Sequence, residues 1–287
     1  MLINLSEMLR VAEEHGFTVG AYNVTESSML EAVVAEAEEC SAPAIIAAAT
    51  NEFNFAGEPF YSYVRERLIQ SDVPFVLHLD HAHSFDECQK AIRAGFTSVM
   101  IDGSLLPYEE NVVLTQKIVE ASHAVNVSVE AEIGTIGTSG LSEEGGVTGV
   151  TYTDPNTVRD FADRTQIDAL AIAIGTAHGQ YPKGYKPHLK LDLITKIREL
   201  TTIPLVLHGG SSNPDDEIKE GCRRGLRKVN ISSDFKVAYY NAIGNYLNET
   251  GDYFPASILP VGMLAVREVV SHKMDIFDCK GKAQLYR

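Results

Sequence analysis

The sequence has few cysteines, and they show no pairing pattern. Cys40, Cys88, Cys222 and Cys279 lie far apart, and no two of them form a C-x-x-C pair. This spacing argues against a disulfide framework and against a zinc site built from thiolates, and it fits a reducing compartment best. Long apolar runs are also lacking. The longest, around residues 42–49, is too short to cross a bilayer.

Basic residues are scarce: 24 Lys and Arg stand against 39 Asp and Glu, which gives a net charge of −15. Such a charge repels a phosphate backbone and excludes nucleic acid as a partner, and an anionic small substrate would need a local positive site. The amphipathic N-terminus carries glutamates within its first 14 residues, unlike a secretory leader. We therefore expect a cytoplasmic protein without a membrane partner.

Eight short runs rich in Val, Ile and Ala alternate with segments of helical period. This pattern predicts repeated βα units around a parallel sheet that is buried on both faces. The runs cover residues 17–23, 44–50, 75–80, 98–102, 127–133, 169–175, 205–209 and 227–231. Eight strands favour a closed (β/α)8 TIM barrel, an α/β fold of roughly 250 residues plus insertions. No linker divides the chain, so we expect one domain over residues 1–287, with a C-terminal helical segment at about 255–280.

Two local patterns add detail to this prediction. Ser28-x-x-Glu31 resembles a capping box and predicts a helix that begins at this serine. Residues 133–153 contain six glycines and no apolar periodicity, which predicts a long loop. Loops of this length in a compact domain are usually functional or mobile, and the alternative is a tolerated surface insertion.

Histidines stand at three predicted strand ends, where the chemistry of a barrel is located. A catalytic zinc takes three protein ligands, commonly imidazoles, and leaves a fourth position open. His178 and His208 each follow a strong strand and are flanked by glycine, and a third ligand would come from HLDHAHS at 78–84. Position in that stretch favours His81 and then His83, whereas His78 fits a packed strand residue.

Carboxylates occupy the same strand ends. Asp80 lies beside a candidate zinc ligand, where it would either transfer a proton or orient a histidine. Asp102 follows the fourth strand, and Glu130 and Glu132 share one face of the fifth. These three side chains would hold a second cation or form salt bridges inside the barrel.

The last two strands are followed by Gly/Ser-rich turns that precede helices. The turns are Gly209-Gly210-Ser211-Ser212 and residues 230–234, NISSD. Backbone N–H groups and hydroxyls converge at such helix N-termini, and barrels bind phosphate after strands seven and eight. Two such turns together predict a phosphate site, although either one alone is more often an ordinary turn with a cap.

Several motifs resemble those of the class II, zinc-dependent ketose-bisphosphate aldolases, which include fructose-bisphosphate and tagatose-bisphosphate aldolases. The resemblance covers nearly the whole chain. The motifs are AYNV (21–24), LDHAHSFDECQKAIRAGFTSVMIDGSLLPYEENV (79–112), VEAEIG (129–134), GTAHG (175–179), PLVLHGGSS (204–212) and KVNIS (228–232).

The resemblance implies a role for each matching residue. His81, His178 and His208 match the zinc ligands, and Asp80 matches the catalytic acid that exchanges a proton with the aldehyde oxygen. Asn23 matches an asparagine near the substrate. The residues that match the dihydroxyacetone-phosphate site are Gly179, Gly209, Gly210, Ser211, Asn230, Ile231, Ser232 and Ser233.

The resemblance also implies cofactors and partners. Asp102 and Glu132 match positions that bind a second, structural cation in some members, and a monovalent cation is allowed as well. The expected substrate is a phosphorylated sugar that carries a dihydroxyacetone-phosphate moiety, and the expected assembly is a homo-oligomer, either a dimer or a tetramer.

The chain departs from the family pattern in two places. Where members commonly have a G-G-x-E-D loop, with a glutamate that moves the carbanion proton, this chain has GTSGLSEEGG, so the base would be Glu143 or Glu144. After AYNV, the usual asparagine pair is replaced by Thr25-Glu26, and the frequent glutamate near Ser28 is absent. These changes lie near the expected aldehyde site, so a fructose or tagatose bisphosphate does not follow as the substrate.

Two other functions remain open. A metal-dependent hydrolase is one, because His81-Ala-His83 resembles the H-x-H motif of amidohydrolase barrels, although that motif belongs on the first strand and here follows the third. A non-catalytic, sugar-phosphate-binding subunit on an aldolase-like barrel is the other. Such a subunit would be expected to have lost a ligand or the acid, and this chain keeps all four residues.

Overall fold

The computed structural model describes residues 1–138, 149–182, 184–185 and 187–286. Eight parallel strands close into a barrel. Their bounds are β1 Val19–Asn23, β2 Ala44–Ala49, β3 Phe75–Ala82, β4 Ser98–Ile101, β5 Ser128–Ile133, β7 Ala169–Ile172, β9 Leu205–Leu207 and β10 Leu226–Ile231. Around the barrel they follow the order β1-β10-β9-β7-β5-β4-β3-β2. All eight fall on predicted apolar runs, and the predicted (β/α)8 fold is confirmed.

Helices follow the strands and surround the barrel. Among the described residues they are α1 Leu5–His15, α2 Ser27–Glu39, α3 Thr50–Ile69, α4 Phe85–Arg93, α5 Tyr108–His123, α6 Pro155–Thr165, α7 Leu191–Arg198, α8 Asp215–Arg224, α9 Ser233–Thr250 and α10 Pro255–Ile276. The strands are buried along their whole length, because helices cover the outer face and side chains fill the interior. None of the described helices is long and apolar enough to cross a membrane.

Helix α1 packs across the N-terminal ends of the barrel strands. Leu2 forms a parallel bridge with Phe75, the first residue of β3. The backbone N–H of Ser6 donates to Ser128 Oγ, at the start of β5, over 2.9 Å. Because all eight strands are parallel, polar groups that follow them collect at the opposite, C-terminal end of the barrel.

The start of α2 differs from its prediction. The helix begins at Ser27, and its N-cap is Glu26, whose side chain accepts hydrogen bonds from the backbone N–H groups of Ser28 and Met29. The predicted capping box at Ser28 is therefore wrong: this serine lies in the first turn, and its hydroxyl is 2.6 Å from Tyr239 OH. N-cap residues usually have shorter side chains, such as Ser or Asp. The longer side chain of Glu26 folds back over the first turn and reaches the same backbone N–H groups.

The predicted loop at 133–153 contains a short strand. Two residues, β6 (Gly137–Thr138), pair in parallel with β8 (Ala177–His178) in a small separate sheet. An antiparallel bridge between Thr135 and Thr151 brings the two ends of the loop together. Residues 139–148, which include Glu143 and Glu144, lie outside the described part of the chain.

The C-terminal segment packs on the outside of the barrel. Helices α9 and α10 contact each other, and α10 also contacts α2. The segment predicted at about 255–280 corresponds to α10, followed by a 3-10 helix at Lys282–Tyr286. Gly281 donates to the carbonyl of Cys40 over 2.9 Å and so fixes the end of the chain against the helix layer.

Candidate active site

Three histidines meet at the C-terminal end of the barrel. His81 belongs to β3, His178 to β8, and His208 follows β9 directly. Their ring centroids lie 4.5 Å apart for His81 and His208, 4.9 Å for His81 and His178, and 6.1 Å for His178 and His208. All three are buried, and one nitrogen of each lies within 4.8 Å of the others.

A bulge in β3 brings Asp80 and His81 to the same side. Strict alternation would send neighbouring side chains to opposite faces. His81 instead has φ +50°, and the register of β3 against β4 shifts between Leu79 and Ala82. A left-handed non-glycine residue costs about 1–3 kcal/mol, a strain that concentrates at functional sites. Thr50 Oγ1 donates to the His81 carbonyl over 3.0 Å and fixes the turned peptide.

Hydrogen bonds on the outer ring nitrogens orient two of the histidines. Asp102 Oδ2 lies 2.9 Å from His81 Nδ1, and Glu130 Oε1 lies 2.7 Å from His208 Nε2. The remaining nitrogens, His81 Nε2 and His208 Nδ1, face each other at 2.7 Å. A carboxylate on the far nitrogen is the usual partner of a metal-binding histidine, because it fixes the tautomer and raises the basicity of the ligand.

The pKa values of His81 and His208 are shifted in opposite directions. Burial lowers the pKa of His81, but the carboxylates of Asp80 and Asp102 outweigh it and raise the pKa to about 10. Burial lowers the pKa of His208 well below its usual value, and the positive charge of His81 lowers it further. These opposite shifts favour a proton on His81 Nε2, directed at His208 Nδ1. A divalent cation bound by both nitrogens would displace this proton.

The donor set fits zinc. Three imidazoles from different strand ends, two of them supported by carboxylates, match the ligand chemistry of a catalytic zinc site.

A second group of potential metal ligands, His81, Asp102 and Glu132, also has ligand atoms within 4.8 Å of one another. Glu132 Oε2 is buried without a hydrogen-bond partner. Burial, and then the charge of Asp102, raise the pKa of Glu132 well above its usual value.

Below the histidines, Glu130 forms a salt bridge inside the barrel, one of its two predicted roles, but its partner, Lys228, was not identified from the sequence. Lys228 Nζ contacts both oxygens of Glu130 at 2.9 and 3.0 Å, and neither side chain is exposed. His78 lies 3.4 Å from the same ammonium group and 2.8 Å from Ser98 Oγ. His78 is thus a packed strand residue, as expected. The position of Lys228 in the strand-like run at 227–231 was a signal that a charged side chain is buried there, but it did not show which residue is the partner.

Glu130 is expected to fix the tautomer of His208, with Lys228 balancing its charge. Replacing Glu130 with glutamine is expected to lower zinc affinity by about 10- to 100-fold, because an amide can present N–H to the imidazole. Competition against a fluorescent chelator measures the affinity. Glu120→Gln, on the exposed face of α5, is the matched control. Equal affinities in both variants would show that the carboxylate does not orient His208.

Asp80 lies beside the histidines and is held by two asparagines. Asn23 Nδ2 donates to Asp80 Oδ2 over 3.1 Å, and Asn230 Nδ2 lies 3.1 Å from both carboxylate oxygens. Burial alone would raise the pKa of Asp80, but electrostatic attraction to nearby groups, led by the positive charge of His81, lowers it below its usual value. The Oδ1 atoms of both asparagines are buried without hydrogen-bond partners. They are therefore acceptors suited to substrate hydroxyl groups.

The twin glycines after β9 are required by close packing. Gly209 has φ +62°, and a Cβ there would lie 2.7 Å from the carbonyl oxygen of Ala177. A Cβ on Gly210 would lie 2.4 Å from Val229 Cγ1. The backbone N–H of Gly210 donates to the Asn230 carbonyl over 3.0 Å. Any larger residue would push this turn away from β8 and β10.

The turn places Ser211 at the N-terminus of α9. Ser211 Oγ accepts from the backbone N–H of Ser232 at 3.2 Å and of Asp234 at 3.4 Å. Ile231 ends β10, Ser232 is the N-cap of α9, and Ser233 is its first residue. The predicted phosphate residues after the two strands are therefore adjacent. Gly179, with φ +87°, follows His178 on the neighbouring β8.

Two of the residues considered in the sequence are not part of this arrangement. His83 is exposed, and its ring nitrogen Nδ1 lies 3.4 Å from the backbone carbonyl of Asp102. Among the described residues, His83 belongs to neither of the two groups of potential metal ligands. Glu26, one of the departures from the family pattern, caps α2. Neither Glu143 nor Glu144 falls within the described residues.

A closed barrel with these groups at the C-terminal ends of its strands defines an enzyme that acts on a small molecule bound at that end. Comparison with known proteins gives the class. Residues 3–282 match the family described as Fructose-bisphosphate aldolase class-II. The chain belongs to this family, and it is an aldolase, a carbon–carbon lyase of carbohydrate metabolism. Membership implies a phosphorylated sugar as substrate.

Individual relatives match along their whole length. The fructose-bisphosphate aldolase of Staphylococcus aureus is 37% identical over 99% of this chain and 99% of its own. The 6-phospho-5-dehydro-2-deoxy-D-gluconate aldolase of Bacillus licheniformis is 39% identical over 98% of this chain and 96% of its own. The crystal structure of the YdjI aldolase from Escherichia coli K12 has a TM-score of 0.86 and 30% identity, covering 99% of this chain and 100% of that one.

Proposed function

We propose that this chain is a zinc-dependent aldolase that reversibly cleaves a phosphorylated ketose to dihydroxyacetone phosphate and an aldehyde. The observation that carries the proposal is the group formed by His81, His178 and His208 next to the buried carboxylate of Asp80. Three nitrogen ligands leave a coordination position for a substrate oxygen. The carboxylate is then close enough to exchange a proton with that substrate.

The substrates named for two relatives support the ketone half. Fructose bisphosphate and 6-phospho-5-dehydro-2-deoxy-D-gluconate differ at one end of the molecule. Each carries a phosphorylated CH2 group next to a ketone and then two hydroxyl-bearing carbons. Retro-aldol cleavage between those two carbons yields dihydroxyacetone phosphate from either compound. This chain is nearly equally similar to both relatives, so its aldehyde half is the open part of the substrate.

In the proposed mechanism, bound zinc supplies the Lewis acidity that stabilises the negative charge left on the ketone half. Asp80 accepts the proton of the hydroxyl on the carbon that becomes the aldehyde, and returns it during condensation. Asn23 and Asn230 hold the Asp80 carboxylate by their amide nitrogens.

The turns at Ser211 and Ser232 anchor the phosphate, which aligns the reacting carbons with Asp80. In this scheme Asp102 and Glu132 would hold a second, structural cation.

A general acid–base group must also protonate the ketone-half carbanion in cleavage and remove the same proton in condensation, and we assign this role to Glu143 or Glu144. A Glu143→Ala/Glu144→Ala variant is expected to slow the exchange of a dihydroxyacetone-phosphate proton with solvent deuterium. The metal ligands and Asp80 remain, so binding of dihydroxyacetone phosphate should persist. NMR measures the exchange, with Ser142→Ala as the neighbouring control. Exchange at the wild-type rate would place the base elsewhere.

The alternative functions have less support. A hydrolase using the His81-Ala-His83 pair would need both imidazoles at the metal, whereas the ring of His83 is exposed. A non-catalytic subunit would have no need for a buried carboxylate beside the histidines, and Asp80 is entirely buried there.

We further propose that the chain acts as a single-domain homo-oligomer in the cytoplasm. The four cysteines are all free thiols, which suits a reducing compartment. Tyr240 and Leu264 are large apolar residues exposed on α9 and α10, and they support a contact between copies of the chain.

A cleavage screen tests the proposed function. Phosphorylated ketoses and keto-acids are incubated with zinc-loaded protein, and triose phosphate release is detected with a coupled dehydrogenase. Dihydroxyacetone phosphate is expected from at least one substrate that contains the shared ketone half. Phosphate release without any triose phosphate would instead indicate the hydrolase.

A further inference from the structure

A cavity apart from the candidate active site is formed by helices α7 and α8 and by the segments that precede α6 and α7. Its volume is about 610 Å³, within the range of about 300–1,000 Å³ that is typical of pockets for small molecules. It is lined by residues 152–153 and 188–193, by Lys196 and by Arg224. None of these residues is a candidate zinc ligand, a neighbour of the catalytic acid or part of the phosphate turns.

The lining is positively charged in a chain that is acidic overall. It contains three permanent cations and one carboxylate, which are Lys190, Lys196, Arg224 and Asp192. Arg224 pairs with Asp192 at 2.7 Å and with Glu220 at 2.9 Å, so carboxylates already balance its charge. Glu217, which does not line the cavity, lies with its Oε1 2.6 Å from His188 Nδ1. The uncompensated positive charge therefore belongs to the two lysines.

Both lysines are available to a ligand. Their side chains are exposed, and within the described part of the chain neither of them pairs with a carboxylate. Lys190 is the N-cap of α7, and Lys196 lies in the last turn of the same helix. Lysine binds phosphate groups as a point charge. In a chain with a net charge of −15, this cavity is a local positive site of the kind that an anion needs.

The rest of the lining supplies an apolar surface with an aromatic ring. Tyr152 is 40% exposed, and Leu191 and Leu193 are partly exposed in the same lining. The ammonium group of Lys190 lies 3.3 Å from the centroid of the Tyr152 ring, so positive charge and aromatic surface are adjacent. Aromatic side chains bind nucleobases by stacking, whatever the base. The combination suits a ligand that carries both a phosphate group and a planar ring.

We propose that this cavity binds a nucleoside phosphate, with the phosphate at Lys190 and Lys196 and the base against Tyr152. A sugar phosphate without a base would leave the apolar surface in contact with water. An inorganic anion would occupy only a small part of the volume of about 610 Å³. The site is separate from the substrate site, so this inference goes beyond the proposed function.

The cavity lies at the base of two segments that carry candidate active-site residues. Tyr152 directly follows the bridge that joins the two ends of the predicted loop at 133–153. A Cβ on Gly175 would lie 3.0 Å from the His188 carbonyl oxygen, and Gly175 precedes His178 by three residues. A nucleotide in the cavity therefore contacts the base of both segments, and its binding is expected to change kcat by about 2-fold or more.

Calorimetry on zinc-loaded protein tests the binding, with adenosine monophosphate, adenosine and ribose 5-phosphate as three separate probes. Adenosine monophosphate carries both the base and the phosphate, and it is expected to bind at least about 10-fold more tightly than either fragment. Equal affinity for ribose 5-phosphate would show that the base makes no contact, and would overturn the assignment to a nucleotide.

Substitutions in the lining identify the site. Lys190→Met/Lys196→Met removes both charges and is expected to weaken the binding of adenosine monophosphate by about 10- to 100-fold. Tyr152→Leu is expected to weaken it by about 5- to 50-fold. Tyr152→Phe should keep most of the affinity, because the ring remains and only the hydroxyl is lost.

Lys117→Met/Lys219→Met is the matched control, because it removes the same charge from other helices. Both side chains are exposed, and the ammonium group of Lys117 lies 4.4 Å from the centroid of the Phe85 ring, a contact like that of Lys190. This control should bind adenosine monophosphate as wild type does. Thermal unfolding verifies that each variant is folded.

Cleavage kinetics test the effect on turnover. Adenosine monophosphate should change kcat in wild type and in the control, and the change should disappear in Lys190→Met/Lys196→Met. Unchanged kcat in wild type saturated with the nucleotide would overturn this effect. A change confined to KM that persists in the double variant would place the nucleotide in the substrate site.

Two calorimetric results would overturn the site itself. One is the absence of adenosine monophosphate binding to wild-type protein, and the other is wild-type affinity in folded Lys190→Met/Lys196→Met. Only the kinetic measurement rests on the proposed function. If wild-type protein releases no dihydroxyacetone phosphate from any ketose, the proposed function fails, whereas the calorimetric result still decides whether the cavity binds a nucleotide.

Discussion

Replacing Asp80 with alanine is expected to lower kcat for cleavage by about 10²- to 10⁴-fold, the usual contribution of a positioned general acid–base group. The side chain is entirely buried, lies 3.8 Å from His208 Nδ1 and accepts hydrogen bonds from Asn23 and Asn230. Without it, the hydroxyl proton has no acceptor near the reacting carbon. Binding of dihydroxyacetone phosphate should remain, because the zinc ligands and the phosphate turns are unchanged.

Steady-state cleavage kinetics and calorimetry with dihydroxyacetone phosphate separate the two effects. Asp80→Asn keeps the shape of the side chain and should lose turnover to a similar extent, because an amide does not accept the proton. Asp86→Ala, an exposed residue of α4, should behave as wild type. If Asp80→Ala turned over substrate at a near-normal rate, the proton-transfer role would be refuted.

Replacing His208 with alanine is expected to abolish tight zinc binding and reduce cleavage to background. His208 is buried between His81 Nε2 and Glu130 Oε1, so its loss removes one of three ligands and leaves Glu130 without its imidazole partner. Two nitrogen ligands bind zinc far more weakly than three. Elemental analysis after dialysis gives the metal content, and coupled triose phosphate detection gives the rate.

His83→Ala is the matched control for the metal site. His83 belongs to the HLDHAHS stretch that also contains His81, but its side chain is exposed. Among the described residues it belongs to neither of the two groups of potential metal ligands. Its replacement should preserve zinc content and cleavage. Stoichiometric zinc in His208→Ala, or loss of zinc in His83→Ala, would require a different set of ligands.

The barrel could be predicted because its signals are local and repeated. Each strand is a short run of buried Val, Ile and Ala, such as Ala44–Ala49, and each is followed by a segment of helical period. The sequence also indicated which strand ends carry histidines and carboxylates. Once a barrel is assumed, its topology brings those ends together at one face.

The features that could not be predicted depend on distant partners or on local departures from regular geometry. Period-two alternation places Asp80 and His81 on opposite faces, and only the left-handed backbone at His81 brings them together. Glu130 and Lys228 are 98 positions apart, so nothing in either local pattern shows that they pair. The same holds for the ion pair between the Glu52 carboxylate and the Lys236 ammonium group, whose residues are 184 positions apart.

Helix ends were a further limit of local reasoning. The Ser28-x-x-Glu31 pattern predicted a capping box, but Glu26, two residues earlier, takes the N-cap position. Several residues near a helix start are able to accept the same N–H groups, and tertiary contacts decide among them. Here the hydroxyl of Ser28 lies 2.6 Å from Tyr239 OH in α9.

The most direct test of the central claim is dihydroxyacetone phosphate release by one protein preparation in three states: as purified, stripped of metal with a chelator, and reconstituted with one equivalent of Zn²⁺. Cleavage of a phosphorylated ketose should disappear in the stripped protein and return on reconstitution. Full dihydroxyacetone phosphate release from metal-free protein in excess chelator would contradict the account.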